Sequence, residues 1–235
     1  MGQFREAMTD ADQAWAQQQK VVFVATAPMG GDGHVNASPK GYDTLRILSA
    51  RRIALLDGRG SGCETIAHLR ENGRITVMLC AFEGPPRIMR LFGRGVVHEP
   101  GSPGFDALFE PHFAAGWRDP DRFKLVRSII DVELDRVGVS CGFGVPLMEY
   151  RDDRPTLVNY AKSKSDAELA QKRVRDNTLS IDGIPSFLDG TDPGAAQRRR
   201  RRRRRLAAAA ETALPWLGGV ALGAALALVV ARVTK

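Results

Sequence analysis

The segment His34-Val-Asn36-Ala-Ser38-Pro-Lys40-Gly41 sets an amide, a hydroxyl and an ammonium on alternate positions. In extended backbone the three project from one face. That set could hold the edge of an isoalloxazine and a phosphate; equally, it reads as a solvated strand face before a Pro–Gly turn. A second segment, Gly60-Ser61-Gly62-Cys63-Glu64-Thr65, runs into Ile66-Ala-His-Leu-Arg-Glu-Asn72. Ser61 and Glu64 have the spacing of a capping box, which satisfies orphan amides at a helix start. The same strand–glycine–helix junction could offer free N–H groups to a phosphate, although the Glu64 carboxylate competes for that positive end. Gly58-Arg-Gly60-Ser-Gly62 is G-x-G-x-G without flanking βαβ signals, so it does not read as a dinucleotide fingerprint. No metal site is expected, because the four histidines (34, 68, 98 and 112) form no H-E-x-x-H and the cysteines form no pair. There is no G-x-S-x-G, and no protein nucleophile or acid–base pair stands out, so no catalytic side chain is assigned.

The elements that must position these groups follow from periodicity. Phe4, Ala7, Met8, Ala11 and Trp15 lie at helical spacing, predicting an amphipathic helix over residues 3–19. Residues 20–27 (KVVFVATA) read as a strand ended by Pro28 and the turn Gly30-Gly-Asp-Gly33. Further strands are expected over 34–38, 52–57, 74–82, 87–98, 127–135 and near 137–145, with helices at 64–72, around 105–117 and at 166–177. Ile130-Asp-Val-Glu-Leu-Asp135 alternates strictly, so one face is buried and the other wet. Six or seven strands with few helices indicate an antiparallel barrel, mainly β with flanking helices, not a βαβ sheet.

The chain has 235 residues and a formal net charge of +7, but that charge is local. Residues 198–205 are eight consecutive arginines, and Arg232 and Lys235 lie beyond them. Without these ten, residues 1–197 carry 24 cations against 26 anions. A basic globular surface is therefore excluded, and nucleic acid is not an expected partner. Cys63, Cys80 and Cys141 are odd in number and far apart, which fits a reducing compartment better than a disulfide framework. Residues 1–20 are polar and mixed in charge, so no secretory signal is expected.

Residues 214–231 (LPWLGGVALGAALALVVA) contain no charge. As a helix at about 1.5 Å per residue they reach ~27 Å, close to a bilayer's hydrocarbon thickness. The segment lacks the polar face of an interfacial helix. The arginine run before it acts as a topological signal, or else as a tract for polyanions and acidic headgroups. The expected organisation is an amphipathic helix over 1–19, a barrel domain over 20–181, a Gly/Pro-rich linker and arginine run over 182–205, and a transmembrane tail anchor over 206–235. The body would then sit on the cytoplasmic side.

Four segments together resemble the pyridoxamine 5′-phosphate oxidase-like, FMN-binding split-barrel family in an actinobacterial-type branch. They are HVNASPKG (34–41), GSGCETIAHLRENGRITVML (60–79), AFEGPPRIMRLFGRG (81–95) and SCGFGVPLMEY (140–150). The resemblance covers residues 20–187. It implies a six-stranded antiparallel split barrel forming homodimers, with FMN in a cleft at the subunit interface. It further implies that Asn36 and Ser38 face the flavin ring, that Thr65 meets the phosphate, and that Arg87 reaches the cofactor from the neighbouring side. Family members acting on vitamin B6 carry Ser-Arg-Lys at this helix start, where this chain has Cys63-Glu64-Thr65. Phosphate neutralisation would then fall to Lys40, Arg87 or Arg90, and pyridoxamine phosphate is argued against as substrate.

The function implied is a membrane-tethered oxidoreductase using FMN or a deazaflavin, acting on a small molecule and needing no protein nucleophile. Two rival readings remain: a non-catalytic module on the same barrel holding flavin or haem, and a polyanion-tethering membrane protein working through its arginines.

Overall fold

The computed structural model describes residues 2–186. Short alternating apolar runs build its strands: β1 (Gln3–Arg5), β2 (Val22–Thr26), β3 (Asn36–Lys40), β4 (Leu45–Ser49), β5 (Arg52–Gly58), β6 (Arg74–Cys80), β7 (Ile88–His98) and β8 (Val126–Ser140). The helices are α1 (Asp10–Gln18), α2 (Glu64–Asn72), α3 (Pro103–His112), α4 (Ala114–Trp117), α5 (Pro120–Phe123), α6 (Thr156–Lys162) and α7 (Asp166–Asn177). The strands form one antiparallel sheet in the order β3-β2-β6-β7-β8-β5-β4, with β1 added to β8. Its two ends, β3 and β4, are consecutive in the chain yet are not hydrogen-bonded neighbours, which leaves the barrel split.

Burial explains which runs alternate. β2 alternates buried and half-buried residues, with Val22, Val24 and Thr26 turned inward. The two valines pack with Ile53, Leu55, Val77, Leu79, Leu91 and Val132 in the barrel interior. β5 is continuously buried from Ile53 to Asp57, because its other face (Ala54 and Leu56) lies against Phe105, Phe109 and Trp117 of α3 and α4. A strand covered on both faces reads as an unbroken apolar run. Between β3 and β4 the chain reverses through Tyr42 and Asp43, both at positive φ (60° and 55°). The Thr44 hydroxyl donates to Gly41 O at 2.8 Å and helps hold this turn.

Several expectations need correction. Among the described residues eight strands form where six or seven were predicted. The helix predicted over 3–19 begins only at Asp10, because Thr9 and Asp12 form a reciprocal capping box and residues 3–5 pair with Val137–Val139 instead. Leu45–Ser49 is an additional strand, too short for its alternation to register in the sequence. The two strands expected over 127–135 and 137–145 are one strand, Val126–Ser140. It continues through one irregularity: consecutive Phe92 and Gly93 of β7 pair with Arg136 and Leu134, so Asp135 is taken up as an extra residue within β8 and the strand runs on. Packing also runs past residue 181: Asp182 binds His34, and Ile184 and Ser186 are buried.

Among the described residues no helix is long and apolar enough to cross a membrane. The expected span over 214–231 and the arginine run lie outside those residues.

Candidate functional site

The alternation in β3 puts Asn36, Ser38 and Lys40 on one face, half-buried, with Ala37 and Pro39 exposed between them. Pairing with β2 sets Asn36 opposite Thr26, Ser38 opposite Val24 and Lys40 opposite Val22. Helix α2 packs over this end of the sheet. It ends at Gly73, whose positive φ of 72° supplies the left-handed cap that glycine adopts without a Cβ penalty. Its first turns are sunk, with Thr65, Ile66, Ala67, His68 and Leu69 all buried.

The buried helix and the strand face meet in a hydrogen-bond chain. Asn36 Nδ2 donates to Thr65 Oγ1 at 3.0 Å and to Thr26 Oγ1 at 3.2 Å. Thr26 Oγ1 lies 3.0 Å from His68 Nδ1. The Thr26 hydroxyl, already accepting from Asn36, has both a proton and a second lone pair for Nδ1, so the direction of this bond follows the ring tautomer. Burial lowers the His68 pKa and keeps the ring neutral. Its Nε2 and Ser38 Oγ are both buried without a hydrogen-bond partner among the described residues.

Further along β3, a charge cluster crosses the split. Lys40 Nζ lies 3.3 Å from Asp57 Oδ1, and Arg127 Nε donates to Asp57 Oδ2 at 2.8 Å. Ser128 Oγ adds a bond to Asp57 Oδ2 at 3.4 Å. Burial works to raise the Asp57 pKa, but Arg127 and Lys40 outweigh it and hold the carboxyl below its ordinary value. Two cations around one carboxylate leave the cluster with one net positive charge. Arg127 also donates to Gly62 O at 2.6 Å, and Asn177 Nδ2 donates to Gly60 O and Gly62 O at 3.1 and 3.3 Å. The glycine-rich loop is thus held by its carbonyls.

The predicted residues separate into groups. Asn36 and Thr65 are brought into direct contact, and Ser38 and Lys40 share their face. Arg87 lies elsewhere: it is ion-paired with buried Asp12 and sits 4.6 Å over the Trp15 ring. Arg90 points from the opposite face of the sheet to the inward Met89 and Leu91, donating to Ser140 Oγ at 3.4 Å. The capping box expected from Ser61 and Glu64 does not form. Cys63 is the cap residue, without a side-chain cap bond, and the Glu64 carboxylate instead accepts the Ile181 N–H at 3.3 Å. The helix starts two residues later than the spacing required. Burial pushes the Cys63 thiol pKa up, so it is a neutral packing group. Among the described residues no cluster of His, Cys, Asp or Glu could hold a metal ion.

Thr26, His68, Asp57 and Arg127 were not legible as site residues. Asp57 carries one signal, a carboxylate ending the apolar run Ile53-Ala-Leu-Leu56. No spacing links it to Arg127, 70 positions away.

The pyridoxamine 5′-phosphate oxidase family model matches residues 8–132. The pyridoxamine 5′-phosphate oxidase family protein ustO of Aspergillus flavus is 38% identical over 201 residues, 78% of this chain and 77% of its own. Among solved structures, HupZ of Group A Streptococcus is 17% identical with a TM-score of 0.43, covering 55% of this chain and 91% of that one. An FMN-binding protein of Syntrophomonas wolfei is 13% identical with a TM-score of 0.39, covering 59% and 84% respectively.

Proposed function

The chain belongs to the pyridoxamine 5′-phosphate oxidase family, and on that premise we propose that it is a flavin-dependent oxidoreductase acting on a small molecule. In this reading it binds FMN beside β3 and α2, works as a homodimer, and is tethered to the cytoplasmic face of a membrane by residues 206–235. The observation that carries the flavin reading is the Ser38 hydroxyl, buried without a partner among the described residues and set on the face that also presents Asn36. An orphaned buried hydroxyl costs about 1–3 kcal/mol unless a ligand satisfies it. A flavin ring edge offers both acceptors and a donor, which suits a hydroxyl next to an amide. The net positive charge around Asp57 suits a phosphate, with Lys40 the more accessible of its two cations.

When bound, the flavin supplies hydride or electron transfer, and the protein supplies binding, orientation and electrostatics. Asn36 and Ser38 would hold the ring edge, Thr65 and Lys40 the phosphate end. The neutral His68, through Thr26, fixes the orientation of the Asn36 amide. Val22 and Val24, buried beside β3, keep water from that face. The helix start carries Glu64 instead of a cation, which argues against pyridoxamine phosphate itself as substrate. Support for a second copy comes from the apolar side chains left in solvent, with Phe143 and Leu147 each 81% and Phe4 66% exposed.

The test is the visible spectrum of the full-length protein, purified from the membrane fraction. Absorption near ~450 nm that bleaches under reductant and returns in air is expected of a redox-active flavin. A Soret band would replace the proposal with haem holding, and a colourless protein would remove it. Thr65→Ala is expected to weaken flavin binding tenfold or more, since a hydrogen bond to a charged group contributes about 1.5–3 kcal/mol. Thr65→Ser should retain binding. Equal flavin content in wild type and Thr65→Ala would refute the role of that hydroxyl.

A further inference from the structure

Behind the glycine-rich loop, on the side of α6 and α7, lies a cavity of about 260 Å³ that the flavin reading does not use. Its floor is apolar: Leu125 and Leu169 are 2% and 5% exposed, and Leu157 and the Tyr160 ring complete the wall. Its rim is cationic, formed by Arg59, Lys172 and Arg173. Lys172 is paired with Asp176, and Arg173 with Glu99 at 2.6 Å. Arg59 is different. It makes no ion pair among the described residues, and its side-chain bond is a single one, Nε to Val126 O at 3.4 Å.

We propose that this cavity binds a small amphipathic carboxylate, with the carboxylate on the Arg59 guanidinium and a monocyclic aromatic or short acyl body over Leu125, Leu157, Tyr160 and Leu169. Three observations converge. A half-buried guanidinium whose terminal nitrogens bond to none of the described residues presents a fork that matches a carboxylate bidentately. Burial, then Arg173 and Arg127, lower the Arg59 pKa against a smaller opposing pull from Asp166, so a further anion there relieves repulsion from the two arginines. The size also agrees. An apolar cavity of ~150 Å³ accommodates benzene, so 260 Å³ takes one ring with a short acidic chain. Because Lys172 and Arg173 are ion-paired, and Arg59 feels Asp166 only at longer range and makes no ion pair among the described residues, the charge to be matched is at most a single negative one, favouring a carboxylate over a phosphate dianion. None of these residues belongs to the flavin site, so the cavity stands independently of it.

The probe is 3-phenylpropionate, titrated by calorimetry into full-length protein in detergent, with protein-free micelles as the blank. Saturable one-to-one binding with a dissociation constant below about 1 mM is expected. 3-Phenylpropanamide, the same shape without the charge, should bind at least tenfold more weakly, as should acetate, which lacks the ring. Arg59→Gln should lose at least tenfold in affinity while its melting temperature and flavin content match wild type. Leu157→Trp should abolish binding by filling the cavity with the charge intact. Equal affinity of wild type and Arg59→Gln, equal affinity for acid and amide, or no saturation would each overturn the proposal. Tighter binding of phenyl phosphate than of 3-phenylpropionate would overturn the monoanion assignment.

Discussion

Asp57→Ala is expected to destabilise the domain by about 3–5 kcal/mol, the cost of removing one partner from a buried ion pair. The side chain of Arg127 is only 4% exposed, and among the described residues its Nε has no other acceptor once the carboxylate is gone. Lys40, with its side chain 22% exposed, can turn to water, so Lys40→Ala should cost about 1 kcal/mol or less. Against a typical total of ~5–15 kcal/mol, the Asp57 loss leaves the domain marginal. Urea denaturation followed by tryptophan fluorescence measures it. Arg127→Leu added to Asp57→Ala should recover part of the loss, because it removes the stranded charge. A cost below about 1 kcal/mol for Asp57→Ala would mean that this cluster does not close the split barrel. The same carboxylate sets an acid limit. Its folded pKa is depressed, so its contribution is present above the unfolded value of about 3.9 and is lost as pH falls below it through the folded value. Wild type should therefore lose stability below about pH 4 more steeply than Asp57→Ala does.

Gly93→Ala is the second large effect, at least about 3 kcal/mol and at the upper end of overpacking costs. A Cβ at Gly93 would stand 2.0 Å from Glu133 O and 2.9 Å from Glu133 C. Both are backbone atoms of β8, at the point where the β7–β8 register shifts. No rotamer can relieve that overlap, so the two central strands must part. Gly95→Ala is the control: its Cβ would meet only the side chains of Leu69 and Ile130 at 3.0–3.3 Å. Those can shift by a few tenths of an ångström, and a cost of about 1 kcal/mol, the lower end of overpacking, is expected. Soluble expression and melting temperature separate the two variants. A Gly93→Ala protein as stable as Gly95→Ala would show that the bulge is free to relax.

Much of the fold is legible because its signals are local. α2 and α7 fall on the residues expected, Glu64–Asn72 and Asp166–Asn177. The first ends at a glycine and the second opens on the capping box of Ser165 and Glu168. β8 declares itself through Val132 and Leu134, buried between the wetter Asp131, Glu133 and Asp135. β1 is illegible because three residues carry no measurable period. It exists because Val137–Val139 offers it an edge. The grouping of Asn36, Ser38 and Lys40 on one face is likewise readable from period-two alternation alone.

By itself, then, the order of residues determined the β-rich class, the shared face of the NASPK segment, the helix that presents Thr65, and the confinement of excess positive charge to residues beyond 197. Each follows from periodicity, capping or composition, which act within a few positions. Tertiary structure alone decided that Arg87 is taken by Asp12 and Trp15, that Arg90 lies on the far side of the sheet, and that Lys40 shares Asp57 with Arg127. It also decided that Arg59 lines a cavity while making no ion pair among the described residues. Charges pair with whatever the sheet order brings within a few ångströms, and that order joins strands dozens of residues apart. Spacing along the chain carries no record of such neighbours.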